Sequence, residues 1–243
     1  MKTKIWIIII IVIAIGIMTG LFIPSKQTQP RSSQTQGSDI PPVTYNLGIN
    51  FDDFEFNNKD VSHYNNKIFL ENGEFLGGPD AEVLPHPIYV LPPGTEILSV
   101  VNGVVADITY QEMHDDYSLV IHPDNSSWTI DHDHVTNIKV KKGDKVTAGQ
   151  VIAESPLATG GLRRSNLGFT EIMIVKLGGG RSHGGNPTAC LYNLLDDSVK
   201  EQYHKQIYKL VADWEEFKND ESIYDEENWE SPGCILNEII EGE

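Results

Sequence analysis

The chain has 243 residues, with 35 Asp+Glu against 18 Lys+Arg and a formal net charge of -17. That balance excludes non-specific binding to nucleic acid or to an anionic membrane surface, because both need clustered Lys and Arg. The 21 glycines and 13 prolines exclude a collagen-like chain, and two cysteines exclude a disulfide-dense scaffold or a four-cysteine zinc site.

The first element is apolar. Ile5 to Ile23 carries no charged side chain, and at about 1.5 Å per helical residue it nearly spans a hydrocarbon core of ~30 Å. Lys2 and Lys4 precede it, which favours a cytoplasmic N-terminus. The stretch is longer than the apolar region of a cleaved signal peptide and ends without a small-residue cleavage site. Residues 1–24 are therefore predicted to be a single-pass anchor in the cell membrane, with everything after it extracytoplasmic. Residues 25–42, SKQTQPRSSQTQGSDIPP, hold one aliphatic side chain and read as a flexible linker.

Residues 43–195 are predicted to form one exported, mostly β domain, a small barrel or sandwich. Its opening part, 44–80, scatters Phe51, Phe54, Phe56, Phe69 and Phe75 among Asn, Asp and Gly and reads as short strands or a wrapped segment. Short apolar runs follow at 88–91, 97–101, 104–108, 117–121, 128–130, 151–153 and 171–175. Pro92-Pro93-Gly94, Asn102-Gly103, Pro123-Asp124-Asn125 and Lys142-Gly143-Asp144 supply turns between them. Asn102-Gly103 between two Val-rich runs predicts a hairpin.

From residue 196 the period changes. Val199, Tyr203, Ile207, Leu210, Val211, Trp214 and Phe217 recur mostly at steps of three and four, which predicts an amphipathic helix over 196–217. Ser198-Val199-Lys200-Glu201 has the form of a capping box and places the helix start near Ser198. The stripe packs on the β domain or offers a partner-binding face. Residues 218–243 form an acidic tail. Cys190 and Cys234 are exported together on this reading. An oxidising exterior permits a disulfide between them, the alternative being two free thiols.

Three motifs carry a family resemblance. Val140-Lys141-Lys142-Gly143-Asp144-Lys145-Val146-Thr147-Ala148-Gly149-Gln150-Val151-Ile152 resembles a segment shared by biotinyl/lipoyl barrels and by the LytM/lysostaphin-type zinc endopeptidases of the duplicated hybrid motif fold. Pro93-Gly94-Thr95-Glu96-Ile97 through Asn102-Gly103-Val104-Val105 resembles the strand pair of the endopeptidases, and Asn186-Pro187 through Leu191-Tyr192 their closing segment. The sole Asp-Lys pair, Asp144-Lys145, belongs to the first motif and not to a lipoyl-type hairpin tip. The endopeptidase-like fold is therefore favoured, over about residues 82–195.

The resemblance implies zinc held by His and Asp of an H-x-x-x-D segment and by the second His of a late H-x-H. The His of a Tyr-x-His segment assists the attacking water. His134, in Asp131-His132-Asp133-His134-Val135, matches the Tyr-x-His position and is the expected catalytic residue, together with His132. His86 falls near the first ligand position, but His86-Pro87-Ile88-Tyr89-Val90 lacks the carboxylate. The late strand reads Asn166-Leu167-Gly168-Phe169-Thr170-Glu171-Ile172, with no histidine. The site is thus expected to be degenerate, with no cofactor required. The protein is expected to be a non-catalytic binding or regulatory module that engages a cell-envelope polymer or a membrane or exported protein. The alternatives are an active zinc endopeptidase with rearranged ligands and an envelope scaffold. A rebuilt metal site would draw on His86, His132, His134 and Glu171, with Asp133 also at hand. Regular strand alternation points His132 and His134 to one face and Asp133 to the other.

Overall fold

The computed structural model describes residues 38–56, 60–75, 83–159, 163–177 and 186–240. The predicted anchor, most of the linker, and the Gly-rich stretch 178–185 around His183 lie outside them. Among the described residues, no helix is long and apolar enough to cross a membrane.

The described residues form ten strands: β1 (Phe69–Leu70), β2 (Ile88–Leu91), β3 (Glu96–Leu98), β4 (Gly103–Gln111), β5 (Asp116–Pro123), β6 (Trp128–Val135), β7 (Lys145–Val146), β8 (Val151–Glu154), β9 (Gly168–Lys176) and β10 (Thr188–Ala189). The larger sheet runs β1-β2-β9-β6-β5-β4-β7, with β10 added beside β9; β3 and β8 pair as a separate two-stranded sheet. The chain is therefore a sandwich and not a closed barrel. The Asn102-Gly103 hairpin does not form. β3 leaves to pair with β8, and β4 pairs with β5 and β7 instead. Gly103 is needed for close approach, since a Cβ there would lie 2.5 Å from the His122 carbonyl oxygen.

The core lies between the two sheets. Ile97 and Ile152 from the small sheet, and Leu119, Ile121, Ile130, Ile172 and Ile174 from the large one, are fully buried. On β6 all eight residues are buried, so this strand is covered on both faces. The segment before β2 wraps this core with two short 3-10 turns, Phe51–Asp53 and Ser62–Tyr64.

The helix, α1, spans Asp197–Lys218. Its N-cap is Asp196 and not Ser198: the Asp196 carboxylate accepts the Ser198 backbone N–H at 3.0 Å, which satisfies a donor the helix itself leaves open. Ile207, Leu210, Val211 and Trp214 are its buried stripe, while Phe217 stays 38% exposed. Trp214 Nε1 donates to the Asn66 carbonyl at 2.8 Å, so the stripe docks onto the wrapped segment. Beyond α1 the chain returns to the domain. Tyr224 stacks on Phe69, its hydroxyl accepts the Phe69 N–H at 3.2 Å, and Cys234 is bonded to Cys190 with Cα atoms 6.2 Å apart.

Candidate functional site

Three neighbouring strands of the large sheet supply the site. Asp133 on β6 stands directly opposite Glu171 on β9, and Glu171 in turn stands opposite Ile88 on β2. Cross-strand partners point to the same face of a sheet, so the two carboxylates are neighbours. His86 lies two residues before β2, and its Nε2 reaches Glu171 Oε2 at 2.9 Å.

The β6 strand does not keep simple alternation. Tyr117 pairs with Val135 and Leu119 with His132, so three steps on β6 oppose two on β5. The irregularity sits at His134, whose φ is +53°. Histidine is among the few non-glycine residues enriched in this left-handed region. A bulge of this kind turns two successive side chains to one side. Asp133 and His134 therefore share the site face, and His132 turns the other way. This reverses the expected arrangement.

His132 is 0% exposed. It belongs to the core, where its Nε2 meets the Leu98 carbonyl at 3.2 Å. A carbonyl only accepts, so Nε2 carries the proton. Burial pulls the imidazole pKa down to about 4 against hydrogen bonds to backbone that raise it. His132 therefore stands apart from the group formed by Asp133, His134 and Glu171.

Asp133, His134 and Glu171 each offer a donor atom within 4.8 Å of the others, and His86 adjoins this group through Glu171. His134 Nδ1 lies 2.7 Å from Asp116 Oδ2, and Nε2 lies 4.0 Å from Asp133 Oδ2. Burial lowers the His134 pKa, but the Asp116 hydrogen bond and the charges of Glu171, Asp133 and Asp116 outweigh it, and the net shift is upward. The His134 ring packs against Phe169 (centroids 4.3 Å apart) and edge-on to His114 (4.8 Å). Tyr64 closes the rim: burial, then the Glu171 charge, push its phenol pKa up, so it stays a proton donor at neutral pH.

Whether these residues suit a metal is a matter of donor chemistry. His86 is buried and neither ring nitrogen makes an aligned hydrogen bond, although Nε2 touches a carboxylate. Two imidazoles and two carboxylates are a mixed nitrogen–oxygen set that fits a borderline divalent cation such as zinc. The late strand also becomes readable in register. Phe169 and Glu171, two residues apart, are the side chains that approach His134 and His86. No histidine stands on this strand where the resemblance expects H-x-H.

Sequence reasoning named His86, His134, Glu171 and Asp133, but it missed Asp116, Gln111, His114 and Tyr64. The polar residues flanking the 112–115 turn gave no periodic signal. The left-handed propensity of histidine was the one hint of the bulge.

The family model for peptidase family M23 matches residues 88–176. No curated protein matches the chain. Among solved structures, LytU is 28% identical, with 44% of this chain and 72% of that chain covered and a TM-score of 0.38. The catalytic domain of lysostaphin from Staphylococcus simulans is 16% identical, covering 49% and 88%, with a TM-score of 0.38. A structure described as a zinc-containing peptidase from Vibrio cholerae is 19% identical, covering 55% and 37%, with a TM-score of 0.36. The stretch similar to peptidase family M23, residues 88–176, contains β2, β6 and β9 and all of the cluster except His86.

Proposed function

We propose that this protein is an exported M23 domain with a rebuilt metal site, acting on peptide bonds of the cell envelope. One observation carries the reading: Asp133, His134 and Glu171 converge within 4.8 Å on one sheet face, beside a buried His86. Two carboxylates brought together at sheltered positions repel one another unless a cation or proton lies between them. Glu171 and His86 would hold the metal, joined by Asp133. When bound, a zinc ion would supply Lewis acidity toward a carbonyl and lower the pKa of water at an open position.

The chain's own residues supply the rest. His134 Nε2 faces the cluster while Asp116 holds Nδ1, so the imidazole is placed to take a proton at Nε2 and pass it to a leaving amine. Tyr64 offers a phenolic O–H at the rim. Phe169 covers one face of His134 and excludes water there. The family acts on peptidoglycan, so cross-linked wall peptide is the proposed substrate class. The predicted anchor would hold the domain at the membrane surface, with the linker giving it reach.

A second reading keeps the cluster as a binding site and drops cleavage. It is favoured by the late strand Leu167-Gly168-Phe169-Thr170-Glu171-Ile172, which carries no histidine where the resemblance expects H-x-H. The experiment is to purify the full-length chain without chelator, measure metal by mass spectrometry, and incubate it with purified cross-linked peptidoglycan. Near-stoichiometric zinc with release of new amine termini supports the hydrolase. Zinc with no release but retention on the polymer supports the binding module. Folded, metal-free protein that takes up no added zinc sinks the metal reading.

A further inference from the structure

The turn end of the β4–β5 hairpin stands behind the cluster. Gln111 and Asp116 are cross-strand partners there, closing the 112–115 turn. Each reaches one of the two residues that the β6 bulge delivers to the site. Gln111 Nε2 donates to Asp133 Oδ1 at 2.7 Å, and the same oxygen accepts the His134 backbone N–H at 3.0 Å. Asp116, 2% exposed, places Oδ2 at 2.7 Å from His134 Nδ1. The hairpin needs neither side chain for its own sake. Its ladder runs unbroken from Asp107–Val120 to Gln111–Asp116, and Tyr110 and Tyr117 pack ring to ring at 5.2 Å.

We propose that Asp116 and Gln111 are positioning residues for the metal site, acting as one unit through His134 and Asp133; this rests on the cluster being a metal site. A carboxylate accepting at Nδ1 puts the imidazole proton on Nδ1 and leaves the Nε2 lone pair for a cation or a proton. Gln111, by engaging Oδ1, turns Oδ2 of Asp133 toward that same nitrogen. The pair thus sets the tautomer of one group and the rotamer of the other. A metal would meet donors already aimed, and less ordering would accompany binding.

The test uses the full-length chain labelled with 15N-histidine. Long-range 1H–15N spectra report the His134 tautomer, and a zinc titration reports affinity. The wild-type ring is expected as the Nδ1–H tautomer. Asp116→Asn is nearly isosteric, but its amide can donate to Nδ1 and move the proton to Nε2. A proton on Nε2 would face Asp133 Oδ2, 4.0 Å away, and compete with the metal for that oxygen, so zinc affinity should then fall about 10- to 100-fold, the range typical for loss of an outer partner of a metal site. The melting temperature without metal should hardly change. Gln111→Leu should weaken zinc binding with the His134 tautomer unaltered, a split that a merely structural role would not give. A wild-type Nε2–H tautomer overturns the proposal, as does wild-type zinc affinity in folded Asp116→Asn. Should Asp116→Asn not fold, the wild-type spectrum and Gln111→Leu still decide. A wild-type chain that binds no zinc overturns the metal reading itself, whatever the tautomer.

Discussion

Asp133 and Glu171 are directly paired across the β6–β9 ladder, two carboxylates on one face with an imidazole on either side. Like charges at paired sheet positions are destabilising, and a bound cation reverses that. Zinc at about 100 times its dissociation constant should stabilise the wild-type fold by about 2.7 kcal/mol. Glu171→Gln should abolish most of that stabilisation without lowering the melting temperature of the metal-free protein. Differential scanning fluorimetry with and without zinc reads both arms. Equal zinc stabilisation in the two proteins would remove Glu171 from the ligand set.

His132 makes a second prediction, in the core. Its folded pKa of about 4 lies below the unfolded value near 6.5. Above pH 6.5 both states are neutral there and nothing is lost. As pH falls through 6.5 the unfolded chain takes up the proton first, so stability declines until the folded pKa is passed. A depression of this size corresponds to about 3 kcal/mol. His132→Gln should lose less stability than wild type between pH 6.5 and 4, measured by urea unfolding across that range. Parallel pH profiles would refute the assignment.

Gly168 opens β9, and a Cβ there would lie 2.1 Å from the Pro156 carbonyl oxygen. Backbone on both sides leaves no flexible group to yield. Gly168→Ala should cost about 1–3 kcal/mol. Because Glu171 is three residues further along the same strand, zinc affinity should fall as well. A variant that melts like wild type would show that the 156 segment gives way freely.

The Cys190–Cys234 bond ties the chain beyond α1 back to the end of the domain. A cross-link of this loop length typically contributes ~2–4 kcal/mol. Replacing both cysteines with serine should lower stability by that amount. Hydrogen exchange should show the loss first at 223–240, with β6 and β9 still protected. Uniform loss across the domain would mean that the bond supports the whole fold.

Much of the fold was legible because burial imposes period two on strands and near 3.6 on helices. The apolar runs at 88–91, 117–121 and 171–175 each lie within a strand, and the stripe from Ile207 to Trp214 is buried as its spacing implies. Partnering was not legible. Asn102-Gly103 has the residues of a tight turn, yet the core between two sheets draws β3 toward β8. Asp196 rather than Ser198 caps α1, a choice between two acceptors two residues apart that the residue types leave open. At the site, regular alternation sent His132 and His134 to one side. The left-handed backbone at His134 undid that, because one extra residue on β6 shifts which side chains share a face. The contributions of Asp116 and Gln111 depend on the same bulge and on a hairpin register that no local pattern specifies.

The backbone bonds between Thr188 and Ile240, 2.9 and 3.0 Å in the two directions, have a consequence for how the molecule meets its own copies. β10 would otherwise present open donors and acceptors at the margin of the large sheet, a template for strand addition by another chain. The tail lies along that margin six residues beyond Cys234, so the covalent link keeps this shield close to its place. In a reducing medium the shield would come loose before the core does, and self-association through β10 would precede unfolding.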